Sequence, residues 1–320
     1  MQTTFLDSEG LDDLDLAPLH EVCGQVRVYP TSLPDQVPAR VADAEIVIVN
    51  KVPLTRRILQ DAGRLGMISV VATGTDAIDL CAAAERGITV SNCRAYGTAS
   101  VVQHVFAGIL ALSTSLLPYT AAVGAGRWQK ASQFCFLDHP IREISGKTLG
   151  IVGYGTLGRA VAEVARAFGM RVLIARRPGG PPDDRPTLAE ILPQIDILSL
   201  HCPLTEQTRN LIDQQALALM KTDACLINAA RGGIVDEVAL YEALREGRLG
   251  GAAIDVLSSE PPCQGNILLT ADLPNLIITP HCAWASREAR QTIITQTAEN
   301  IRAYLAGTPL RVVGPPIPSR

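Results

Sequence analysis

The stretch 150–177, GIVGYGTLGRAVAEVARAFGMRVLIARR, decides the fold. An apolar run opens it, and Gly153, Gly155 and Gly158 follow in the spacing G-x-G-x-x-G. An amphipathic helical pattern then leads to Gly169, and a second apolar run closes the stretch. In this order each glycine has a separate task. Gly153 permits a tight turn, Gly155 lets the backbone approach a pyrophosphate, and Gly158 lets helix and strand pack closely. The N–H groups at the helix N-terminus then face the phosphates. Ordinary turn glycines would not account for the full strand–turn–helix–strand sequence. Gly153, Gly155, Thr156, Leu157 and Gly158 are therefore candidate dinucleotide-binding residues.

The end of the second run is unusual. An Asp or Glu there would accept hydrogen bonds from the adenosine ribose 2′-OH, but Arg176 occupies the place and Arg177 follows. A guanidinium cannot accept; it can pair with a 2′-phosphate through a charge-assisted fork. This reading favours NADP(H) over NAD(H), against the alternative of two merely solvated loop arginines.

Outward from this unit, short β-branched runs alternate with helical patterns, the rhythm of parallel sheets covered by helices. Before it, QVRVYP, AEIVIVN, ISVVAT and ITVSN read as strands, with LTRRILQDAG and DLCAAAERG as helices and Gly87 ending the second. After it, DILSLH, CLINAA, GAAIDVL and NLIITPH extend KTLGIVG and RVLIA to six strands, a complete dinucleotide domain. The fold class is α/β with two Rossmann-like domains. The helical pattern 286–307 belongs to neither series by sequence alone, RRPGGPPDDRP suits a surface loop, and VVGPPIPSR suits an exposed terminus.

Composition narrows the function. With 320 residues there is room for two cores, and 28 Lys plus Arg against 32 Asp plus Glu leave no basic surface for nucleic acid. The start, MQTTFLDSEGLDDLDL, is acidic where a secretory signal would be basic and then apolar. The most apolar window, VVQHVFAGILALSTSLLP, carries Gln103 and His104 and stops at Pro118, so it reads as a buried helix and not a membrane span. Eight scattered cysteines without a CxxC pair suit reduced thiols in the cytoplasm. The pair HC occurs at 201 and at 281 without a second ligand pair at zinc spacing, so no metal site is expected. His104 and His139 read as structural.

Three separated motifs follow the fingerprint: NAARGGIVDE with Arg231, AIDVLSSEPP with Glu260 and ITPHCAWAS with His281. Together with VVATGTDAIDL at 70–80 they resemble the D-isomer-specific 2-hydroxyacid dehydrogenases, and AYGTASVVQHVFAGIL and GAGRWQK look nearest to the glycerate dehydrogenase and hydroxypyruvate reductase group. The resemblance implies a flavodoxin-like substrate domain of residues 1–98 plus 284–320, with a nucleotide-binding domain of 99–283 inserted into it and the active site in the cleft between them. It also implies a homodimer built partly by the segment around Trp128.

Reduction of a 2-keto acid needs a hydride, a proton and positive charge near the carboxylate and carbonyl. His281 is suited to give the proton, since imidazole titrates near neutral pH, and Glu260 is the carboxylate that would orient it. Arg231 is the anchor and electrophile. The resemblance assigns the backbone amides at Thr73 and Gly74 to the substrate carboxylate and Asp255 to the nicotinamide carboxamide; Lys51 lines the same pocket. His201, Cys202, Pro203, Thr208 and Ala229 follow strands that face the crevice and are weaker cofactor candidates. Singly, His281 could be a core histidine, Glu260 a loop carboxylate and Arg231 a solvated turn residue; their conjunction behind strands of one sheet favours catalysis. The competing readings are a same-family enzyme for a bulkier keto acid and a nucleotide-sensing scaffold on the same fold.

Overall fold

The computed structural model describes residues 1–11, 13–181 and 183–316. The chain forms two compact units, Met1–Gly97 with Ala285–Arg320, and Thr98–Trp284.

In the first unit, β1 (Thr3–Phe5), β2 (Val26–Val28), β3 (Ile46–Val49), β4 (Met67–Val70) and β5 (Thr89–Ser91) make one parallel sheet in the order β2-β1-β3-β4-β5. Every residue of β3 and β4 is buried, which is why IVIV and MISV show no polar alternation: helices cover both faces. The helices of the crossovers are α1 (Ala17–Cys23), α2 (Val37–Val41), α3 (Arg56–Asp61) and α4 (Leu80–Glu85). Asp79 caps α4 by accepting from the Ala82 N–H at 2.8 Å, and Gly87, at φ +71°, turns the chain out of it. The four expected strands are all present. The sheet also has a fifth, β1, at a position between β2 and β3 that the acidic N-terminal stretch did not suggest.

The second unit holds β6 (Thr148–Val152), β7 (Arg171–Ile174), β8 (Ile197–Leu200), β9 (Cys225–Asn228), β10 (Gly251–Ile254) and β11 (Leu276–Ile278), all parallel, in the order β11-β10-β9-β8-β6-β7. The chain leaves β6 for one side and then crosses to β8 on the other, so the strand order reverses there and a crevice opens at the carboxyl ends. Successive side chains of β6 go to opposite faces. Leu149 and Ile151 pack with α5 (Thr98–Ser113) and α7 (Thr156–Ala167) through Val105, Ile109, Val161 and Ala165. Val152 packs on the other face with Leu200, Leu226 and α10 (Glu237–Arg245) through Leu240 and Ala243. The unit is completed by α6 (Leu116–Gly124), α8 (Leu188–Ile191) and α9 (Gln214–Leu219).

The apolar window at 101–118 is largely α5, with Val101, Val102, Val105, Phe106 and Ile109 buried. Among the described residues no single helix is long and apolar enough to cross a membrane. The chain then returns to the first unit, where α11 (Arg287–Leu305) packs on α1 and β4. Ser286 caps it by accepting from the Ala289 N–H.

Candidate active site

The fingerprint glycines sit where β6 passes into α7. Gly153 has φ +93°, and a Cβ there would lie 2.6 Å from the His201 carbonyl carbon and oxygen. A Cβ at Gly158 would lie 2.1 Å from the Gly153 carbonyl oxygen, so only glycine lets α7 start this close to the strand. At Gly155 the same test meets nothing within 4 Å, and this residue caps α7 without any side-chain hydrogen bond. The first-turn N–H groups of a twelve-residue helix therefore face open space beside Gly155 and exposed Thr156. This cradle fits a pyrophosphate: dipole, donors and clearance coincide. Leu157 packs inward against the α5 and α7 core.

At the carboxyl edge of the same sheet, Ile254 of β10 is paired with Asn228 of β9 on one side and Ile278 of β11 on the other. Arg231 follows β9, Glu260 follows β10 and His281 follows β11, so the register brings three distant motifs to one edge. The loops are fitted to each other: a Cβ at Gly232 would lie 1.8 Å from the Leu257 carbonyl oxygen, so the Arg231 turn runs directly against the loop that carries Glu260. His281 Nδ1 lies 2.6 Å from Glu260 Oε2, while Glu260 Oε1 accepts from the Leu257 N–H at 2.8 Å. The carboxylate is thus held by its own loop on one oxygen and orients the ring with the other. Arg231 is half-buried and donates from Nη1 to the Ala230 carbonyl at 2.7 Å; among the described residues it has no carboxylate partner. A guanidinium so placed is an anion receptor.

His281 adopts φ +53°, a left-handed conformation uncommon for a non-glycine residue. Its main chain is secured on both sides: the N–H donates to the Asp255 carbonyl at 2.7 Å, and the carbonyl accepts from Trp284 Nε1 at 3.0 Å. Asp255 does much of the holding. Its buried carboxylate, 3% exposed, accepts from the Thr279 hydroxyl at 2.6 Å, the Cys282 N–H at 3.0 Å and the Ala283 N–H at 2.9 Å. The residue read as a nicotinamide contact is therefore first a clamp on the His281 turn.

His104 reads from the sequence as structural. It lies beside this turn, with Nε2 3.0 Å from the Thr279 hydroxyl and 3.6 Å from Asp255 Oδ1. Ser100, one turn earlier on α5, donates to the Ala283 carbonyl at 2.7 Å. A polar flank on an otherwise apolar helix was the only sequence signal for either. His139, by contrast, packs edge-on against Tyr119, consistent with the structural reading.

The remaining candidates divide. His201 and Cys202 end β8 beside the cradle; burial pushes the His201 imidazole down to about 4, so the ring is neutral, and its Nε2 lies 2.9 Å from the Ser199 hydroxyl. Its Nδ1 is buried and has no partner among the described residues. Burial raises the Cys202 thiol to about 11. Pro203 and Ala229 follow β8 and β9 at the same edge. Thr208 is 3% exposed, and its hydroxyl donates to the Pro203 carbonyl at 2.7 Å and accepts from the Thr205 N–H at 2.7 Å. Its hydroxyl shapes the turn.

Arg176 is half-buried after β7, with Nε donating to the Arg185 carbonyl at 3.2 Å, and Arg177 is exposed. The terminal nitrogens of Arg176 have no hydrogen-bond partner among the described residues. In the first unit, Lys51, Thr73 and Gly74 follow the adjacent strands β3 and β4. Half-buried Asp7 fixes the first of these loops by accepting from the Asn50, Lys51 and Val52 N–H groups, while desolvation raises its own pKa. The Thr73 hydroxyl donates to the Cys93 carbonyl, and the Lys51 side chain is exposed.

The chain resembles known proteins in sequence and fold. Residues 106–283 match the profile of the D-isomer specific 2-hydroxyacid dehydrogenase NAD binding domain. The chain is 45% identical over 315 residues to a glycerate dehydrogenase of Methylorubrum extorquens, covering 98% of both chains. It belongs to the D-isomer specific 2-hydroxyacid dehydrogenase family. Solved structures of similar fold include a D-lactate dehydrogenase from Aquifex aeolicus complexed with NAD and lactic acid, at TM-score 0.80, 30% identity and 96% coverage of each chain. An acyclic imino acid reductase in complex with NADPH and D-Arg superposes at TM-score 0.85 and 30% identity, covering 98% of this chain and 100% of that one. The family fold is two parallel-sheet α/β domains, as found here. It accommodates either pyridine nucleotide in these two proteins.

Proposed function

We propose that this chain is an oxidoreductase that reduces a small 2-keto acid, hydroxypyruvate or glyoxylate, to the D-2-hydroxy acid, with NADP(H) preferred to NAD(H). The observation that carries the reading is the 2.6 Å His281–Glu260 pair on the sheet edge that also bears Arg231, which among the described residues has no carboxylate partner. The cradle at Gly153–Gly158 fits the pyrophosphate, and when bound the nicotinamide supplies the hydride.

Glu260 holds Nδ1 of His281, so Nε2, which has no hydrogen-bond partner among the described residues, is the atom that passes a proton to the substrate oxygen. Arg231 attracts the substrate carboxylate and stabilises negative charge as it grows on the carbonyl oxygen. Asp255 keeps the His281 turn in place, and Lys51, Thr73 and Gly74 contribute to substrate binding in the first unit. The terminal nitrogens of Arg176, which have no hydrogen-bond partner among the described residues while its Nε lies 4.0 Å from Asp183 Oδ1, suit a 2′-phosphate, with Arg177 adding charge. The similarity to a glycerate dehydrogenase over nearly the whole chain supports the small substrate.

We further propose a homodimer assembled through α6 and the segment that follows it, where Leu116, Leu117, Trp128, Phe134, Leu137 and Ile141 are exposed. Free cysteines throughout the chain suit the cytoplasm.

The test is a matrix of NADPH and NADH against hydroxypyruvate, glyoxylate, pyruvate, phenylpyruvate and 2-ketoisocaproate. Highest kcat/KM is expected with NADPH and one of the first two acids. Absence of cofactor oxidation with every acid would reject the enzyme reading. An advantage for NADH would reject the role given to Arg176, and a preference for phenylpyruvate or 2-ketoisocaproate would reject the small substrate.

A further inference from the structure

The pair His281–Cys282 lacked a second ligand pair in the sequence, yet folding supplies one from two distant elements. His104 comes from α5 and Asp255 from the end of β10, and their Nε2 and carboxylate oxygen lie with Cys282 Sγ within 4.8 Å of one another. We propose that His104, Asp255 and Cys282 form a binding site for a divalent cation of the zinc class, and that its occupation inhibits the enzyme. The inhibitory part rests on the reading of His281 as the proton donor; the site itself does not.

The dimensions suit such an ion. A tetrahedral zinc site with bonds of about 2.0–2.3 Å has ligand-to-ligand edges of roughly 3.3–3.7 Å. The His104 Nε2 to Asp255 Oδ1 edge is 3.6 Å, so two ligands already stand at the required separation. The third, Cys282, is exposed, and its thiol already lies against the Asp255 carboxylate and the Thr279 hydroxyl. Asp255 is held by the Cys282 and Ala283 N–H groups of the turn that presents the thiol. The ion takes the place of the Thr279 hydroxyl, which bridges Asp255 Oδ1 at 2.6 Å and His104 Nε2 at 3.0 Å and must turn away to free a lone pair on each, with the His104 proton moving to Nδ1.

The donor set selects the metal. One imidazole nitrogen, one carboxylate oxygen and one sulfur prefer Zn²⁺ or Co²⁺ to Mg²⁺ or Ca²⁺, which take oxygen ligands. On binding, the Cys282 thiol loses its proton to solvent, and carboxylate plus thiolate neutralise the dication. Three protein ligands with an exposed flank leave a fourth position for water. Since Cys282 adjoins His281, the bound ion constrains the turn that the ring must use.

The experiment uses the full chain, stripped with a chelator and kept reduced. Titration with Co²⁺ should produce a thiolate-to-cobalt charge-transfer band in the near ultraviolet together with visible bands of low-symmetry coordination, and Zn²⁺ should bleach both. Cys282→Ala should lose the charge-transfer band, and His104→Gln should weaken Co²⁺ binding at least tenfold. A wild-type protein without that band, or a Cys282→Ala protein that retains it, overturns the site. In parallel, Zn²⁺ should inhibit turnover reversibly, with Cys282→Ala at least tenfold less sensitive and unchanged in basal rate. Equal sensitivity of the two proteins overturns the inhibitory role. The cobalt spectrum reads the site whether or not a keto acid is reduced, and His281→Ala judges the catalytic reading separately.

Discussion

At the scale of single residues, the chemistry rests on groups held from several directions. Arg231→Gln and His281→Ala should each lower kcat by about 10²-fold or more, measured in steady state with the preferred pair of substrates, since a preorganised charge partner is lost in each. Near-normal turnover in either variant would remove that residue from the mechanism. His201 makes a different, pH-dependent contribution. Its imidazole titrates at about 4 in the folded chain, below the ordinary value near 6.5. Between those pH values the unfolded chain binds the extra proton, so stability falls as the solution is acidified through that window, by about 3 kcal/mol at its lower end. Urea midpoints of wild type should therefore drop more steeply from pH 6.5 to 4.5 than those of His201→Gln; parallel slopes would contradict this. Arg231, Glu260 and His281 were legible in the sequence because each follows an apolar strand run. His104 was not, since a lone histidine on an apolar helix carries no mark of what the helix will lie against. Nor was the local role of the Thr208 hydroxyl, which is held within its own turn.

At the scale of elements, the start of α7 tolerates no side chain at Gly158, where an added Cβ would meet the Gly153 carbonyl oxygen. Gly158→Ala should push helix from strand and weaken NADPH binding at least tenfold in a fluorescence titration, and unchanged affinity would show that the cradle lies elsewhere. The start of α10 makes a contrast, since Asp236 caps it by accepting from the Val238 and Ala239 N–H groups. Asp236→Ala should cost about 1 kcal/mol in denaturant unfolding with KM unaltered. The four-residue strand β3, IVIV, could be read directly, as burial on both faces leaves a continuous β-branched signal, and β4, β8 and β9 from apolar runs broken only by Ser69, Ser199 and Asn228. Three-residue β1 could not: Thr3–Phe5 is too short for any periodicity, and the acidic residues beyond it dominate the local composition.

At the scale of the whole molecule, the outward apolar set on and after α6 predicts association. Phe134 is 87% and Leu137 76% exposed, so Phe134→Asp with Leu137→Asp should turn a dimer into a monomer in sedimentation velocity. A wild type that already sediments as a monomer would refute the proposed assembly. Neither the strand order nor this exposure could be read in advance, because both depend on which helices flank which faces. The first unit takes its last helix, α11, from beyond Trp284, where it lies over β4 and against α1. During synthesis the five-stranded sheet therefore waits, with that flank bare, while nearly two hundred residues of the intervening unit emerge and close on their own. A chain released just short of Ala285 would carry a finished nucleotide fold beside an unfinished neighbour, and a chaperone should find its apolar target there.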